Sequence, residues 1–347
     1  MKGPWLSAMG LACLLMMSAH AESWDSDNDP KLFSSDFEYH WSALPLKASL
    51  PEHEIPWADT YWPSYLGSIN YRWHSDHPVG FNYHSPTQSE ASSMSRAELE
   101  KLSPSEKYDL AMGDYSYSLR DEAKWHANPR AKDWVGICHG WAPAAIQFKE
   151  PKIVEVVNPD GIVVPFGSSD VKGLISYFFA FHGGIRYSFV GLRCALAKIS
   201  DSKTPCGDVN PGALHVILTN QIGLKQQGFM ADVEQAREVW NQPIYGYEIT
   251  PVASVKSDHA ASAVQVKLTM LYTDELDKPL WEAVGGTSQF PIGKLDMEYV
   301  LELDSEGRIT GGEWVGPKHP DFLWKANSKA HFSGALEGLN RIYQSKY

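Results

Sequence analysis

The alternation of apolar and polar residues predicts strands in the second half of the chain. From Ala213 to Thr219 the alternation has a period of two, which is typical of a strand and places His215 on it. The residues that define this alternation are Leu214, Val216 and Leu218 against His215, Ile217 and Thr219. A similar pattern recurs beyond Tyr245, at Val264, Val266, Leu268 and Met270. Residues 297–303 and 308–315 flank an Asp-Ser-Glu-Gly turn and predict a hairpin.

Capping patterns predict helices in the first half. Ser95 followed by Glu98 is a capping box, and Ser103 followed by Glu106 is a second one. Pro104 then occupies the first helical position. A third helix is predicted to open at residues 169–170, because apolar residues follow three and four apart. These apolar residues are Val171, Leu174, Ile175 and Phe178.

The N-terminus has the pattern of a secretory signal peptide. Lys2 precedes an apolar run from Leu6 to Met17, and Ala-His-Ala at 19–21 offers a cleavage site. The run is too short to span a membrane, and no other segment is a candidate. We expect residues 1–21 to be removed and the mature protein to be secreted or periplasmic, with no membrane span.

Composition and net charge indicate a folded soluble protein that does not bind nucleic acid. The 347 residues are 43% hydrophobic and 21% charged, which is ordinary for a folded soluble protein. The formal net charge is -12, so the basic face that nucleic acids require is not expected. The acidic balance is compatible with a cationic substrate or with calcium.

Three cysteines remain beyond the signal segment, namely Cys138, Cys194 and Cys206. An odd number in an exported protein implies one bridge and one leftover thiol. Cys194 and Cys206 flank a short loop-like stretch, so we predict a disulfide between them, worth about 3 kcal/mol. Cys138 is then a free thiol, and a free thiol in an oxidising compartment is a liability unless it has a use. An inert buried cysteine is the alternative.

The segment around Cys138 reads Val-Gly-Ile-Cys-His-Gly-Trp-Ala-Pro from 135 to 143. Gly136 and Gly140 bracket the thiol and allow the backbone to approach its neighbours closely. Pro143 is expected in the first turn of a helix, so the helix should start between Gly140 and Ala142. Cys138 would lie at or just before the N-terminus, where the helix dipole favours the thiolate and free N–H groups can bind an oxyanion.

A base for Cys138 is expected among the histidines. His139 is adjacent, but neighbours entering a helix rarely face each other. His215 is preferred, and Asp232, on what could be the next strand, is predicted to orient its imidazole. A hydrogen-bonded core histidine and a turn aspartate are the alternative interpretation.

Residues 239–243 carry the most specific string of the chain, which is Val239, Trp240, Asn241, Gln242 and Pro243. Together with the Cys138 segment, Phe-Met-Ala-Asp at 229–232 and His-Pro-Asp-Phe-Leu-Trp at 319–324, it resembles the oomycete transglutaminase elicitors and their relatives in marine bacteria. The similarity spans about residues 100–325. The chain departs from the elicitor peptide at Tyr245, where the peptide carries a basic residue.

The resemblance implies a secreted protein-glutamine γ-glutamyltransferase, in other words a transglutaminase. Cys138 would form a thioester with a protein glutamine and pass the acyl group to lysine or another amine, or to water. The implied fold is α+β with a papain-like cysteine protease core, a helix-borne Cys138 and a strand-borne His215, completed by Asp232. By the same likeness Lys132 is the candidate oxyanion donor. The expected division of the chain is a signal peptide at 1–21, an aromatic-rich region at 22–94, a catalytic core at 95–250 and a β-rich region at 251–347.

The resemblance also implies calcium dependence, but the sequence assigns no ligands. Asp25, Asp27 and Asp29 have suitable oxygens, yet a solvated acidic tail is the preferred interpretation. Two other functions stay open. A papain-like cysteine protease would use the same triad on peptide bonds, and a secreted interaction protein would use the aromatic-rich surface without catalysis.

Overall fold

The computed structural model describes residues 24–193, 208–234, 238–284 and 291–344, and it contains both helices and sheets. The α+β class is therefore confirmed, while the papain-like core stays a prediction. The predicted signal peptide at residues 1–21 and the predicted Cys194–Cys206 bridge lie outside the described residues.

Helices dominate the middle of the chain. They are α1 (Gln88–Ser93), α2 (Arg96–Glu100), α3 (Pro104–Met112), α4 (Ser118–His126), α5 (Cys138–Gln147), α6 (Ser168–Tyr177), α7 (Pro211–Leu218) and α8 (Leu339–Ile342). The capping boxes predicted at Ser95 and Ser103 are both present, at the starts of α2 and α3. Helices α6 and α7 each continue into a π-helical turn, at Phe178–His182 and Thr219–Leu224.

The strands form one large and one small antiparallel sheet. They are β1 (Lys47–Ser49), β2 (Val154–Val157), β3 (Val163–Phe166), β4 (Tyr187–Val190), β5 (Phe229–Asp232), β6 (Asn241–Val255), β7 (Ser262–Thr273), β8 (Ile292–Leu303), β9 (Ile309–Trp314) and β10 (Leu323–Ala326). The large sheet has the order β4-β10-β5-β6-β7-β8-β9, with β1 also paired to β6, and the small one joins β2 to β3. The predicted hairpin is confirmed as β8–β9, with Gly307 at a positive φ of 81° in its turn.

Among the described residues, two large hydrophobic cores and a small cluster of Ala142, Met230 and Trp324 hold these layers together. One lies among the helices and includes Trp141 of α5 together with Trp57 and Trp62. The other lies between the large sheet and α7, and aromatic residues near the N-terminus, among them Phe33 and Phe37, complete it. The region before α1 consists of short 3₁₀ turns and β1, and its residues contribute to both cores.

The segment that carries His215 is a helix, so its prediction as a strand is wrong. Every residue from Pro211 to Leu218 is buried, and a helix covered on all sides loses the amphipathic period that identifies it. Asn210 caps it through its side chain and Pro211 occupies the first turn. These two residues were the overlooked helix signal.

The predicted boundary between residues 250 and 251 falls inside β6. This strand pairs with β5 near one end and with β7 along most of its length. Residues from both sides of the boundary therefore belong to one continuous sheet.

Candidate active site

Cys138 is the first residue of α5, and it is a buried cysteine outside any disulfide. The chain leading to it packs tightly, because Ile137 donates its N–H to the Tyr61 carbonyl at 2.8 Å. A Cβ at Gly136 would lie 2.4 Å from that same oxygen, and a Cβ at Gly140 would lie 2.1 Å from the Ser176 carbonyl oxygen. The two glycines therefore allow the close approach that the sequence predicted.

The start of α5 suits an oxyanion. The helix begins earlier than predicted, and Pro143 lies inside it rather than in its first turn. Among the described residues, the backbone N–H of Cys138 has no hydrogen-bond acceptor. Such free N–H groups at a helix N-terminus, beside a thiol, can stabilise a developing negative oxygen.

Among the described residues, the polar partners of the thiol come from the residue 239–243 segment. Cys138 Sγ lies 3.7 Å from the carbonyl oxygen of Val239 and 3.7 Å from Asn241 Nδ2. The orientation of the Asn241 amide is fixed by Trp324 of β10, whose Nε1 donates to Asn241 Oδ1 at 2.9 Å. The signature segment therefore lies directly against the nucleophile candidate.

The same segment covers the thiol. Trp240 packs edge-on against Tyr61 with a ring-centroid separation of 5.3 Å, and its backbone N–H donates to Asp232 Oδ1 at 2.8 Å. The Cys138 residue, which also packs into the helical core, is only 4% exposed. A substrate can reach the sulfur only if this cover moves.

Two carboxyl groups from different elements of the fold affect the pKa of the thiol. Asp232 ends β5, and Glu275 follows β7. Both raise the pKa of Cys138 electrostatically. Each has one buried oxygen, Asp232 Oδ2 and Glu275 Oε1, without a hydrogen-bond partner among the described residues.

Burial controls protonation at this site. It raises the pKa of Cys138 to about 11, against the hydrogen bonds from Asn241, which lower it. Burial raises the pKa of Asp232 to about 6, although the Trp240 and Glu234 N–H groups oppose this. Burial also raises the pKa of Glu275 to about 8, and the neighbouring Asp274 carboxyl adds to the shift. In this covered arrangement the thiol is protonated at neutral pH.

His215 is not part of this cluster. It is fully buried on α7, where its Nδ1 lies 2.8 Å from Tyr299 Oη and its ring lies 5.1 Å from that of Trp41. Burial lowers its pKa to about 3. The structure brings Asp232 to Cys138 but does not bring His215 to either of them. The predicted triad is therefore not assembled, and His215 has the character of a core histidine.

The remaining candidates do not supply a base either. Every histidine except His20 lies in the described residues, and none of these hydrogen-bonds the Cys138 thiol. His139 points to Phe181, with a ring-centroid separation of 6.2 Å. Lys132 is exposed, and its backbone carbonyl accepts from Val135 N–H in the turn before α5. No hydrogen bond in the described structure ties the Lys132 side chain to the site.

The described residues also offer no obvious metal site. Within 24–193, 208–234, 238–284 and 291–344, no group of three or more His, Cys, Asp or Glu side chains is arranged to hold an ion. Asp25 and Asp29, weighed as calcium ligands, cap 3₁₀ turns through their side chains. The calcium dependence that the resemblance implies therefore stays a prediction without assigned ligands. No helix in the described ranges is long and apolar enough to cross a membrane.

Comparison with known proteins assigns the chain to a family. Residues 28–340 match the family model described as transglutaminase elicitor. The chain belongs to the transglutaminase elicitor family. The resemblance seen in the sequence is thus confirmed. No curated protein matches this family member.

A solved structure shares the fold of this transglutaminase elicitor family member. It is the crystal structure of the GP42 transglutaminase from Phytophthora sojae, with a TM-score of 0.68 and 24% sequence identity. The match covers 92% of this chain and 97% of that chain. At this identity the likeness establishes the fold alone.

Sequence reasoning missed Glu275 and the contact of Asn241 with the thiol. Asn241 stands in the signature string, but its role there depends on residues about a hundred positions away. Glu275 follows a strand with an ordinary alternating pattern, and nothing around it marks a site. An acidic pair, Asp274 and Glu275, directly after a predicted strand was the only available signal.

Proposed function

We propose that this chain is a secreted protein-glutamine γ-glutamyltransferase in which Cys138 is the nucleophile. The observation that carries the proposal is the position of Cys138, a free thiol at the first residue of α5, held against the family signature by Val239 and Asn241. Membership of the transglutaminase elicitor family supports the reaction class. The substrates are proteins that carry glutamine and lysine.

In the acylation step the Cys138 sulfur attacks the γ-carboxamide carbon of a protein glutamine. The Cys138 N–H binds the resulting oxyanion, the role for which Lys132 was predicted. The carbon–nitrogen bond breaks, ammonia leaves with the proton that the thiol gave up, and a thioester remains.

We assign the proton transfer to Asp232 instead of His215. Its pKa of about 6 leaves it ionised at neutral pH, and its Oδ2 has no hydrogen-bond partner among the described residues. It takes the thiol proton and returns it to the departing ammonia. Because burial raises the pKa of Cys138 to about 11, the covered arrangement is a resting state. Displacement of Val239 and Trp240 by the substrate is therefore a step of the reaction.

A second function has specific support. The buried, protonated thiol without an imidazole partner is what a secreted interaction protein without catalysis would show. In that case Cys138 only fills the helical core, where its neighbours include Trp141. A papain-like protease has no such support in the described contacts, because its imidazole base is not at the thiol.

One experiment separates these functions. The mature protein, Cys138→Ala and Cys138→Ser are incubated with casein and a fluorescent primary amine, with and without added calcium. Labelling of casein by wild type that both variants lose supports the transglutaminase. Cys138-dependent fragmentation of casein indicates a protease instead. If casein is neither labelled nor fragmented by protein that circular dichroism shows to be folded, the function as a non-catalytic interaction protein is better supported.

A further inference from the structure

Trp324 of β10 packs at the junction of α5 and the large sheet. It forms a small apolar cluster with Ala142 of α5 and with Met230, its partner across β5. The rings of Tyr187 and Phe189 pack on its indole, with ring-centroid separations of 5.1 and 5.9 Å. Trp324 is only 4% exposed, so these contacts leave its ring little freedom to reorient.

The indole N–H of Trp324 determines the orientation of the Asn241 side-chain amide. An amide carries an acceptor and a donor of nearly the same shape, so the hydrogen-bond partners must decide between its two orientations. An indole N–H can only donate, and it lies 2.9 Å from Asn241 Oδ1. The Nδ2 donor is thereby left to face Cys138 Sγ, at 3.7 Å. The reversed amide would place N–H against N–H at Trp324 and an acceptor oxygen against the sulfur.

We infer that Asn241 is a catalytic residue that stabilises the Cys138 thiolate, and that Trp324 is the positioning residue that holds it in the donating orientation. Both roles rest on the proposed function of Cys138 as the nucleophile. An N–H donor stabilises a sulfur anion more than it stabilises the neutral thiol. No histidine among the described residues hydrogen-bonds this sulfur, so the amide takes over part of the stabilisation that an imidazolium commonly provides.

The thiolate that Asn241 stabilises forms in both steps of the proposed reaction. In acylation, the S–H proton passes to Asp232, and the electron pair stays on the sulfur that attacks the glutamine carbon. In transfer, the amine nitrogen bonds to the thioester carbon, and the carbon–sulfur bond breaks with its electron pair on sulfur. The proton of the attacking nitrogen reaches the sulfur through Asp232, which leaves an isopeptide and restores the thiol. A fixed donor at the sulfur therefore assists both steps.

Trp324→Phe removes the indole N–H and keeps a ring in the cluster. The Asn241 amide is then free to reverse and accept from the S–H group, which favours the neutral thiol. Alkylation of Cys138 by iodoacetamide is followed between pH 7 and pH 10 in wild type, Trp324→Phe and Trp314→Phe. Trp314 is the matched control, because its Nε1 donates to the Val209 carbonyl oxygen at 3.0 Å, and it lies on β9 at the far edge of the large sheet. We expect Trp324→Phe to lower the rate about three- to tenfold at each pH and Trp314→Phe to stay within about twofold of wild type.

The direction of the change separates positioning from a merely structural role. A variant that only loosened the packing would open the cover over the thiol and speed alkylation, whereas loss of the positioned donor slows it. The titratable groups Asp232, Glu275 and Tyr61 interact electrostatically with Cys138. Every variant keeps all three and the adjacent His139, so the rate difference between variants does not come from these groups.

A double-variant cycle extends the test to the case in which Trp324→Phe alone folds poorly. Asn241→Leu removes the donor with little change in volume, and the double variant removes both partners of the hydrogen bond. If Trp324 acts through Asn241, Asn241→Leu slows alkylation and the added Trp324→Phe change has no further effect. The two roles are excluded if Asn241→Leu reacts as fast as wild type, if Trp324→Phe is as fast as Trp314→Phe or faster, or if the two effects are additive. None of these rates requires turnover, whereas amine incorporation into casein tests the proposed function by itself.

Discussion

The side-chain amide of Asn241 lies 3.7 Å from the sulfur of Cys138. It is the only side-chain hydrogen-bond donor to the thiol within the described residues, and its donation favours the thiolate against the opposing effect of burial. The pKa of this thiol is therefore set by burial, by the hydrogen bonds from Asn241 and by the Glu275 and Asp232 carboxyls, and no histidine in the described residues hydrogen-bonds it.

The first prediction concerns the reactivity of Cys138. With its pKa raised to about 11, only a small fraction is thiolate at neutral pH, and that fraction grows tenfold with each pH unit. The rate of alkylation by iodoacetamide, followed by mass spectrometry of the Cys138 peptide, should rise about tenfold per unit from pH 7 to pH 10. A plateau at or below pH 8 would show that the thiol is already activated.

The second prediction concerns the cover over the thiol. Tyr61 holds Trp240 through an edge-on ring contact, and pairs of this kind are worth about 0.5–1.5 kcal/mol. Tyr61→Ala should therefore make the cover open more often and speed Cys138 alkylation roughly two- to tenfold at fixed pH. Tyr65→Ala is the control, since Tyr65 is an exposed tyrosine on the neighbouring turn. Equal rates in the two variants would argue that Tyr61 does not hold the cover.

The third prediction separates the two interpretations of His215. His215→Gln keeps a polar group for Tyr299 and removes the imidazole, so amine incorporation should stay within about threefold of wild type. Loss of a true general base typically costs 10²–10⁴-fold. A drop of that size in folded protein would restore His215 to the catalytic site and contradict the geometry.

His215 should also control acid stability. Its folded pKa of about 3 lies below its ordinary value of 6.5, so the unfolded chain binds the proton more readily. Its stabilising contribution is complete above pH 6.5 and is lost as the pH falls toward 3, at up to about 1.4 kcal/mol per pH unit. Urea unfolding of wild type and His215→Gln should show this slope in their difference. A difference independent of pH would mean that the imidazole is not buried in its neutral form.

Local signals in the sequence predicted much of the fold. The capping boxes at Ser95 and Ser103 and the hairpin turn around Gly307 depend only on neighbouring residues, so they could be predicted without tertiary information. Helix α7 could not be predicted from its period, because burial on every side hides the difference between helix and strand.

The candidate site likewise has parts that could be predicted from local sequence and parts that could not. Cys138 was identified from its own segment and from the count of cysteines. Its environment depends on contacts between distant elements, since Trp324 orients Asn241 from 83 positions away and Glu275 arrives from the end of β7. Asp232 was predicted to orient His215, but in the structure it acts electrostatically on Cys138 while His215 lies on α7.

The last prediction tests the buried pair Lys107–Asp170. The two side chains are fully buried, 2.6 Å apart, and Asp170 also accepts from the Gly167 N–H that opens α6. Lys107→Met leaves Asp170 charged and uncompensated, which should lower the free energy of unfolding by about 3–5 kcal/mol. Asp170→Asn in the same background removes the buried charge and should recover part of that loss. Urea denaturation of the single and double variants measures the coupling, and additive effects would show that the pair contributes nothing specific. The exposed pair Lys47–Glu248 is the control, and Lys47→Met there should change stability by no more than about 1 kcal/mol.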